Sequence, residues 1–271
     1  SGEVTRRVLK WQSASCEVFM VSTQAAFAGK CNGDMAAVPG NDELVAQGLA
    51  WAQEFAAFTA ETPAGKVEFN GFGQTVATPA EQRMLAEWAK LQFEMAQSGR
   101  TGAAWGLAFG YRREGGFAGF CDDVAVYLYG TAVVSSCKGF NAAFQLTASQ
   151  LGQLYAWYDG FKPIDFTQSD PAVADALKIT LTMPGQGQQA ADEAAIQAIG
   201  SFATDLLTQA ASQARAEAEL PAAEQALNEF FTALNSGDYS LGAQLYGGDT
   251  SMLQTWNPDI RNDLPKWLER A

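Results

Sequence analysis

Four cysteines and no histidine set the chemistry open to this 271-residue chain. Without an imidazole there is no Ser-His-Asp or Cys-His pair, and zinc sites with His ligands are closed as well. Cys16 and Cys31 stand 15 residues apart, Cys121 and Cys137 16 apart. The middle of the first interval is Thr23-Gln24 and of the second Tyr129, beside Gly130, both places where a hairpin should turn. Each pair would then lie on neighbouring strands, at a separation that suits a disulfide. We therefore expect Cys16–Cys31 and Cys121–Cys137, and with them an oxidising compartment. The competing readings are four free core thiols or an all-Cys metal site. The second demands ligands from two separate parts of the chain, so no metal is expected.

Other groups invite chemistry and have plainer readings. Gly185-Gln186-Gly187-Gln188-Gln189-Ala190 fits G-x-G-x-x-A after a strand and before a helix, the pattern of a dinucleotide site. Pro184 at the strand end and the lack of a later strand carrying an acidic residue favour a simple strand-to-helix turn, so no cofactor is expected. Asp122-Asp123, Asp165, Asp170 and Asp175 could supply a carboxylate pair or a calcium site. Their spacing does not fit a calcium loop, and a solvated face is the plainer reading. Seven tryptophans suggest sugar stacking, but Trp51, Trp88 and Trp157 fall at helical core positions. No catalytic residue is assigned.

The elements that would hold these residues come in two copies. Cys16-Glu17-Val18-Phe19 lies over Cys121-Asp122-Asp123-Val124, and Ala50-Trp51 with Phe55 over Ala156-Trp157 with Phe161. Asn70-Gly71-Phe72-Gly73-Gln74 lies over Pro184-Gly185-Gln186-Gly187-Gln188. The offset is 105 to 106 at the first anchors and 114 at the last, after an insertion near Pro171. Such self-similarity marks a duplication.

In the second copy, Trp105, Leu107, Phe109 and Tyr111 alternate as a strand, and Glu114 to Gly119 turns the chain. Strands to Tyr129 and over 131–137 follow, then a helix over 147–161. Leu177, Ile179, Leu181 and Met183 mark a further strand, and Asp192 caps a last helix with Ile196, Ile199, Ala203, Leu206 and Leu207 on one face. In the first copy Thr78-Pro79-Ala80-Glu81 reads as a capping box with Pro at the first helical position. Each copy thus reads strand, strand, strand, helix, strand, helix. The expected fold is α+β: two tandem antiparallel-sheet-plus-helix repeats, 3–104 and 105–212, and a helical C-terminal segment, 213–271, either whole or a truncated domain. Pro221 should punctuate that segment, and Asn235-Ser236-Gly237-Asp238 should end one of its helices.

A net charge of −13 and a pI near 4.4 oppose binding to phosphate backbones, so no nucleic-acid partner is expected. No apolar run approaches the roughly 20 residues of a membrane helix. The chain starts at Ser1-Gly2 rather than Met, which reads as a processing remnant; a signal peptide, if one existed, is expected to be already removed.

Tyr111-Arg112-Arg113-Glu114-Gly115-Gly116-Phe117-Ala118-Gly119-Phe120 resembles the opening of emfourin-type domains. These begin with a strand ending in an R-x-GG-[FI]-AG turn, then a second strand, a polar hairpin, a helix with a Leu-rich face and further strand. The second repeat follows this order over about 100 residues. The first has Gln12-Ser13-Ala14-Ser15 in place of the glycine turn and reads as a degenerate copy. The family includes small protein inhibitors of thermolysin-type zinc proteases, and similar domains occur in secreted bacterial lipoproteins. The cysteines depart from the cytoplasmic inhibitors. Ala222 through Phe230-Phe231, Leu234 to Tyr239 and Leu245-Tyr246 are similar to the first helices of the cone-shaped ketosteroid isomerase superfamily, whose pocket needs a curved sheet that the chain does not go on to supply.

The resemblance implies a non-enzymatic, extracytoplasmic protein-binding module: a metalloprotease inhibitor-like domain that is secreted, periplasmic or anchored at the bacterial cell envelope. Arg112, Arg113, Gly115, Gly116 and Phe117 would form its contact surface. Glycines let a backbone approach closely, Arg113 would face solvent as a hydrogen-bonding fork and Phe117 would anchor; the plainer reading is that the two glycines make a tight turn and Phe117 enters the core. A structural or assembly subunit of an envelope complex is the alternative; a carboxylate-based hydrolase ranks last.

Overall fold

The computed structural model describes residues 5–98, 106–169, 176–246 and 263–270. Trp105, Asp170 and Asp175 lie outside these ranges, as does the Ser1-Gly2 start. Residues Ser1–Ala210 form one compact unit and Ala211–Ala271 a second.

Both sheets, with the helices as far as Ala210, lie in the first unit. Repeat one runs β1 (Arg7–Gln12), β2 (Glu17–Ser22), β3 (Ala26–Lys30), β4 (Met35–Ala37), α1 (Asn41–Glu54), β5 (Ala56–Thr62), β6 (Gly65–Phe72), α2 (Pro79–Ser98). Repeat two runs β7 (Leu107–Gly115), β8 (Phe120–Tyr127), β9 (Thr131–Ser136), β10 (Phe140–Gln145), α3 (Ala148–Gly160), β11 (Ile164–Gln168), β12 (Lys178–Met183) and α4 (Glu193–Ser236). Each makes a six-stranded antiparallel sheet, ordered β4-β3-β2-β1-β6-β5 and β10-β9-β8-β7-β12-β11. The fold is α+β in two tandem units of the same strand order. Each repeat has two strands more than the sequence reading: β4 and β5 in the first, β10 and β11 in the second.

Alternation explains the layers. Leu9, Trp11, Phe19, Val21, Val67 and Phe69 point to one face of the first sheet and are buried there; Phe109, Tyr111, Val124, Val126, Leu181 and Met183 do the same in the second. Helices cover these faces. The indole of Trp51 meets Trp88 edge-on at 4.9 Å, and half-buried Trp157 meets Phe202 edge-on at 5.4 Å. The three helical tryptophans are therefore packing residues. The Thr78 capping box forms, with Glu81 accepting from the Thr78 N–H at 2.7 Å, and Asp192 accepts from the Ala195 N–H at 2.8 Å.

The Gly-x-Gly turn belongs to this scaffold. A Cβ on Gly71 or Gly73 would overlap the backbone of Phe55 or Glu54, and one on Gly185 or Gly187 that of Phe161 or Gly160. Each turn lies against the end of the preceding helix and gives its N–H groups to that helix. Gly73 N donates to Ala52 O at 2.9 Å, and Gln186 N to Tyr158 O at 2.8 Å. Phe55 bridges Thr75 and Phe161 bridges Gln189 in parallel fashion. A phosphate cradle needs free N–H groups; here they satisfy the carbonyls of a helix C-terminus.

The second unit is helical in its described residues. α4 continues through Pro221 to Ser236, so the expected break at Pro221 does not occur. A proline lacks the N–H for one helical hydrogen bond, and the helix runs on past that position. Gly237 has φ +78°, the Asp238 N–H donates to Ala233 O, and Asp238 caps α5 (Tyr239–Leu245) through Leu241 N at 3.0 Å. A short α6 (Leu264–Arg270) follows, with Leu268 against Gly242.

Candidate protein-binding hairpin

The two repeats differ between their first two strands. Trp11 pairs with Phe19, with seven residues between them, whereas twelve separate Tyr111 from its partner Val124. The added length extends the β7–β8 hairpin, whose pairing runs out to Gly115–Phe120. Gly115, Gly116 and Gly119 have φ of +75°, +70° and +58°, a region a Cβ opposes. Gly119 N closes the turn on Gly116 O at 2.8 Å. This backbone places Phe117 at the tip, its ring fully exposed, although a phenyl ring ordinarily belongs in a core.

The base of the hairpin is fixed from several sides. Cys121 on β8 is bonded to Cys137 just after β9, and Cys16 to Cys31 at the matching place in repeat one, with Cα separations of 5.7 and 5.3 Å. The expected pairing holds. Asp122 is buried, and Arg113 bonds it across the strand pair through Nε and Oδ2. The Arg113 guanidinium also lies 4.3 Å from the centre of the Phe120 ring, with Lys138 Nζ at 4.9 Å. This corrects two expectations: Arg113 is not a free solvent-facing fork, and Asp122 is not part of a solvated face. The alternation that exposes Asp123 turns Asp122 inward, where its charge needs a cation.

Arg112 does face solvent, with Glu114 at 3.0 Å and Asp123 at 3.6 Å. Hydrogen bonds from Lys178 and Arg112 hold the Glu114 carboxyl below its usual value. Such exposed pairs are weak and exchange readily for an incoming partner.

A second charged cluster joins the repeats. Arg83 on α2 grips Asp159 on α3 with two hydrogen bonds, the Nη2–Oδ1 one at 2.9 Å, and contacts Glu87 one turn along at 3.4 Å. Its guanidinium lies 4.2 Å from the centre of the Tyr155 ring, and the Tyr155 hydroxyl donates to Leu128 O at 2.7 Å. Burial pushes the Glu87 carboxyl above its usual value despite Arg83, and burial likewise pushes the Tyr155 phenol up. Carboxylate catalysis would need two such groups facing a cleft. The cleft of about 640 Å³ beside this cluster is lined by Arg83, Tyr155 and one carboxylate, Glu61, but by neither Glu87 nor Asp159. A larger one of about 700 Å³, between β7, β11, β12 and α4, has Glu193 as the single carboxylate on its wall among the described residues. The Arg83 cluster is a lock between repeats; sequence reading missed it because its members lie 76 residues apart. Among the described residues no group of three or more Cys, Asp or Glu side chains could hold a metal ion, and no helix is long and apolar enough to cross a membrane.

No family model, curated protein or solved structure matches this chain.

Proposed function

We propose that this chain is an extracytoplasmic protein-binding module without enzymatic activity, which presents the β7–β8 hairpin to its partner. The observation carrying the proposal is the fully exposed Phe117 ring on a turn whose base is held by the Cys121–Cys137 bond and the Arg113–Asp122 pair. A preorganised aromatic anchor flanked by an exposed arginine is what a binding hot spot requires. Gly115 and Gly116 keep the tip narrow, Arg112 offers the charge, and Arg113 holds the geometry. The two disulfides support an oxidising compartment: secreted, periplasmic or anchored at the envelope, as in a lipoprotein.

The finer proposal is that the partner is a thermolysin-type metalloprotease and the module an inhibitor-like domain. Inhibition of such a protease by the purified chain tests it. We expect Phe117→Ala to weaken inhibition by at least about tenfold, the ~1.4 kcal/mol of a hot-spot ring. No inhibition by the unmodified chain would remove the protease and leave another envelope protein as partner. A role as an assembly subunit of an envelope complex has one observation in its favour, the unguarded strand β10.

A further inference from the structure

Two antiparallel sheets leave four edge strands, and three of them carry devices that keep other strands away. β4 is three residues long and stands between Asp34 and Pro39. β5 carries Glu61 and β11 carries Asp165. Short length, proline and charge are the usual defences of a sheet edge. β10, at the same place in repeat two as β4 in repeat one, has none of them within the strand, and the nearest charge in sequence, Lys138, lies over the Phe120 ring at 4.9 Å. Its sequence Phe140-Asn141-Ala142-Ala143-Phe144-Gln145 is six residues long and uncharged. Within one chain the duplication thus provides its own comparison: the same edge is guarded in one copy and open in the other.

The register shows which backbone groups are open. β10 pairs with β9 as Phe140↔Ser136, Ala142↔Val134 and Phe144↔Ala132, with Asn141, Ala143 and Gln145 opposite Ser135, Val133 and Thr131. Leu146 N donates to Gly130 O at 2.8 Å, so Leu146 is a hydrogen-bonded position, and in an antiparallel ladder these alternate. Phe144, Ala142 and Phe140 therefore bond to β9, and their side chains are half-buried against the core. The N–H and C=O groups of Asn141, Ala143 and Gln145 point away from the sheet, with exposed side chains. No other described strand pairs with β10.

We propose that β10 is a self-association edge, taking β10 of a second copy of this chain in antiparallel pairing about a twofold axis at Ala143. Two features of the strand favour this occupant. With Ala143 opposite Ala143 of the second copy, Asn141 falls opposite Gln145 and Gln145 opposite Asn141. Gln145 Nε2 donates to Thr131 Oγ1 of β9 at 2.9 Å, which leaves its Oε1 to accept from the Asn141 amide of the second copy on each side of the axis, and the open backbone groups pair with one another. Self-association also sets like charges against each other in a chain of net charge −13, and β10 is a stretch where the facing surface carries no charge to repel its copy. The result is a continuous twelve-stranded sheet. The β7–β8 turn lies at the Phe140 end of β10, next to the Cys121–Cys137 bond, so antiparallel pairing sends the two Phe117 tips in opposite directions.

The test is the mass of the purified chain by sedimentation across a dilution series, together with hydrogen exchange at single amides. We expect a species of twice 28.9 kDa and slow exchange at Asn141, Ala143 and Gln145. Ala143→Lys places two like charges at the axis on exposed positions and should give a folded monomer with fast exchange there. Asn141→Glu with Gln145→Glu should do the same, whereas Asn141→Lys with Gln145→Glu puts opposite charges face to face and should keep the dimer. A monomer at all concentrations, a dimer that survives Ala143→Lys, or fast exchange at the three amides within the dimer would each overturn the proposal.

Discussion

At the scale of single residues, neighbours in the sequence have separate tasks. Arg112 and Arg113 face opposite sides of β7, so Arg112 meets solvent while Arg113 neutralises the buried Asp122. Removing Arg113 leaves that carboxylate without its cation. We expect Arg113→Ala to cost about 2 kcal/mol, below the ~3–5 kcal/mol of a fully buried pair because Arg113 retains some exposure. Arg112→Ala should stay within about 0.5 kcal/mol of the parent, and denaturant midpoints of the two variants check the contrast. Glu87 gives a pH signature. Its carboxyl is held above its ordinary value of 4.5 because burial disfavours its charge more than Arg83 favours it. An acid with a raised folded pKa binds its proton more tightly in the native state. The native state therefore loses ground as pH rises from 4.5 through the folded value, and that cost persists above it. Glu87→Gln should remove the loss, leaving a variant whose stability falls less than the parent's between acid and neutral pH. A variant that instead loses stability at neutral pH would show the Arg83 attraction to be dominant.

At the scale of elements, the sequence was legible where side-chain period and end signals agreed. The Thr78 box, the Asp192 cap and the alternation in β7 and β12 each placed their element within a few residues. The missed strands lacked such signals. β4 has three residues, β10 is built partly of alanine, and β5 begins directly after α1, with no turn residue to announce it. At Pro221 a local rule was overridden by good helix formers on both sides. The Gly-x-Gly turn was found and its job was not, since that depends on how close a helix end comes in space. Gly73→Ala and Gly187→Ala should each destabilise by about 2–3 kcal/mol or more, because the backbone that a Cβ would overlap cannot move aside. Gly33→Ala, with its nearest neighbour at 3.7 Å, should remain near neutral, and thermal unfolding of the three variants separates the cases.

At the scale of the whole molecule, duplication and cysteine spacing were both readable, and they made the sheets and their bridges foreseeable. The functional surface was readable only in part. A glycine turn with Phe117 stood in the sequence, but the partnership of Arg113 with Asp122 depends on which face each residue takes. Each disulfide closes a loop of 15 or 16 residues, a constraint of roughly 3 kcal/mol on the chain-entropy account. Cys121→Ser with Cys137→Ser should lower stability by about that much and weaken partner binding further, since the base of the hairpin is freed; Cys16→Ser with Cys31→Ser should lower stability alone. The central claim is that the β7–β8 tip is where a partner binds. It is tested most directly by putting a photo-reactive phenylalanine analogue at position 117 and irradiating the chain with a native envelope fraction, beside a control with the analogue at exposed Val76. We expect one defined protein adduct from position 117 and none from position 76. No adduct at 117, or the same adducts from both positions, would contradict the claim.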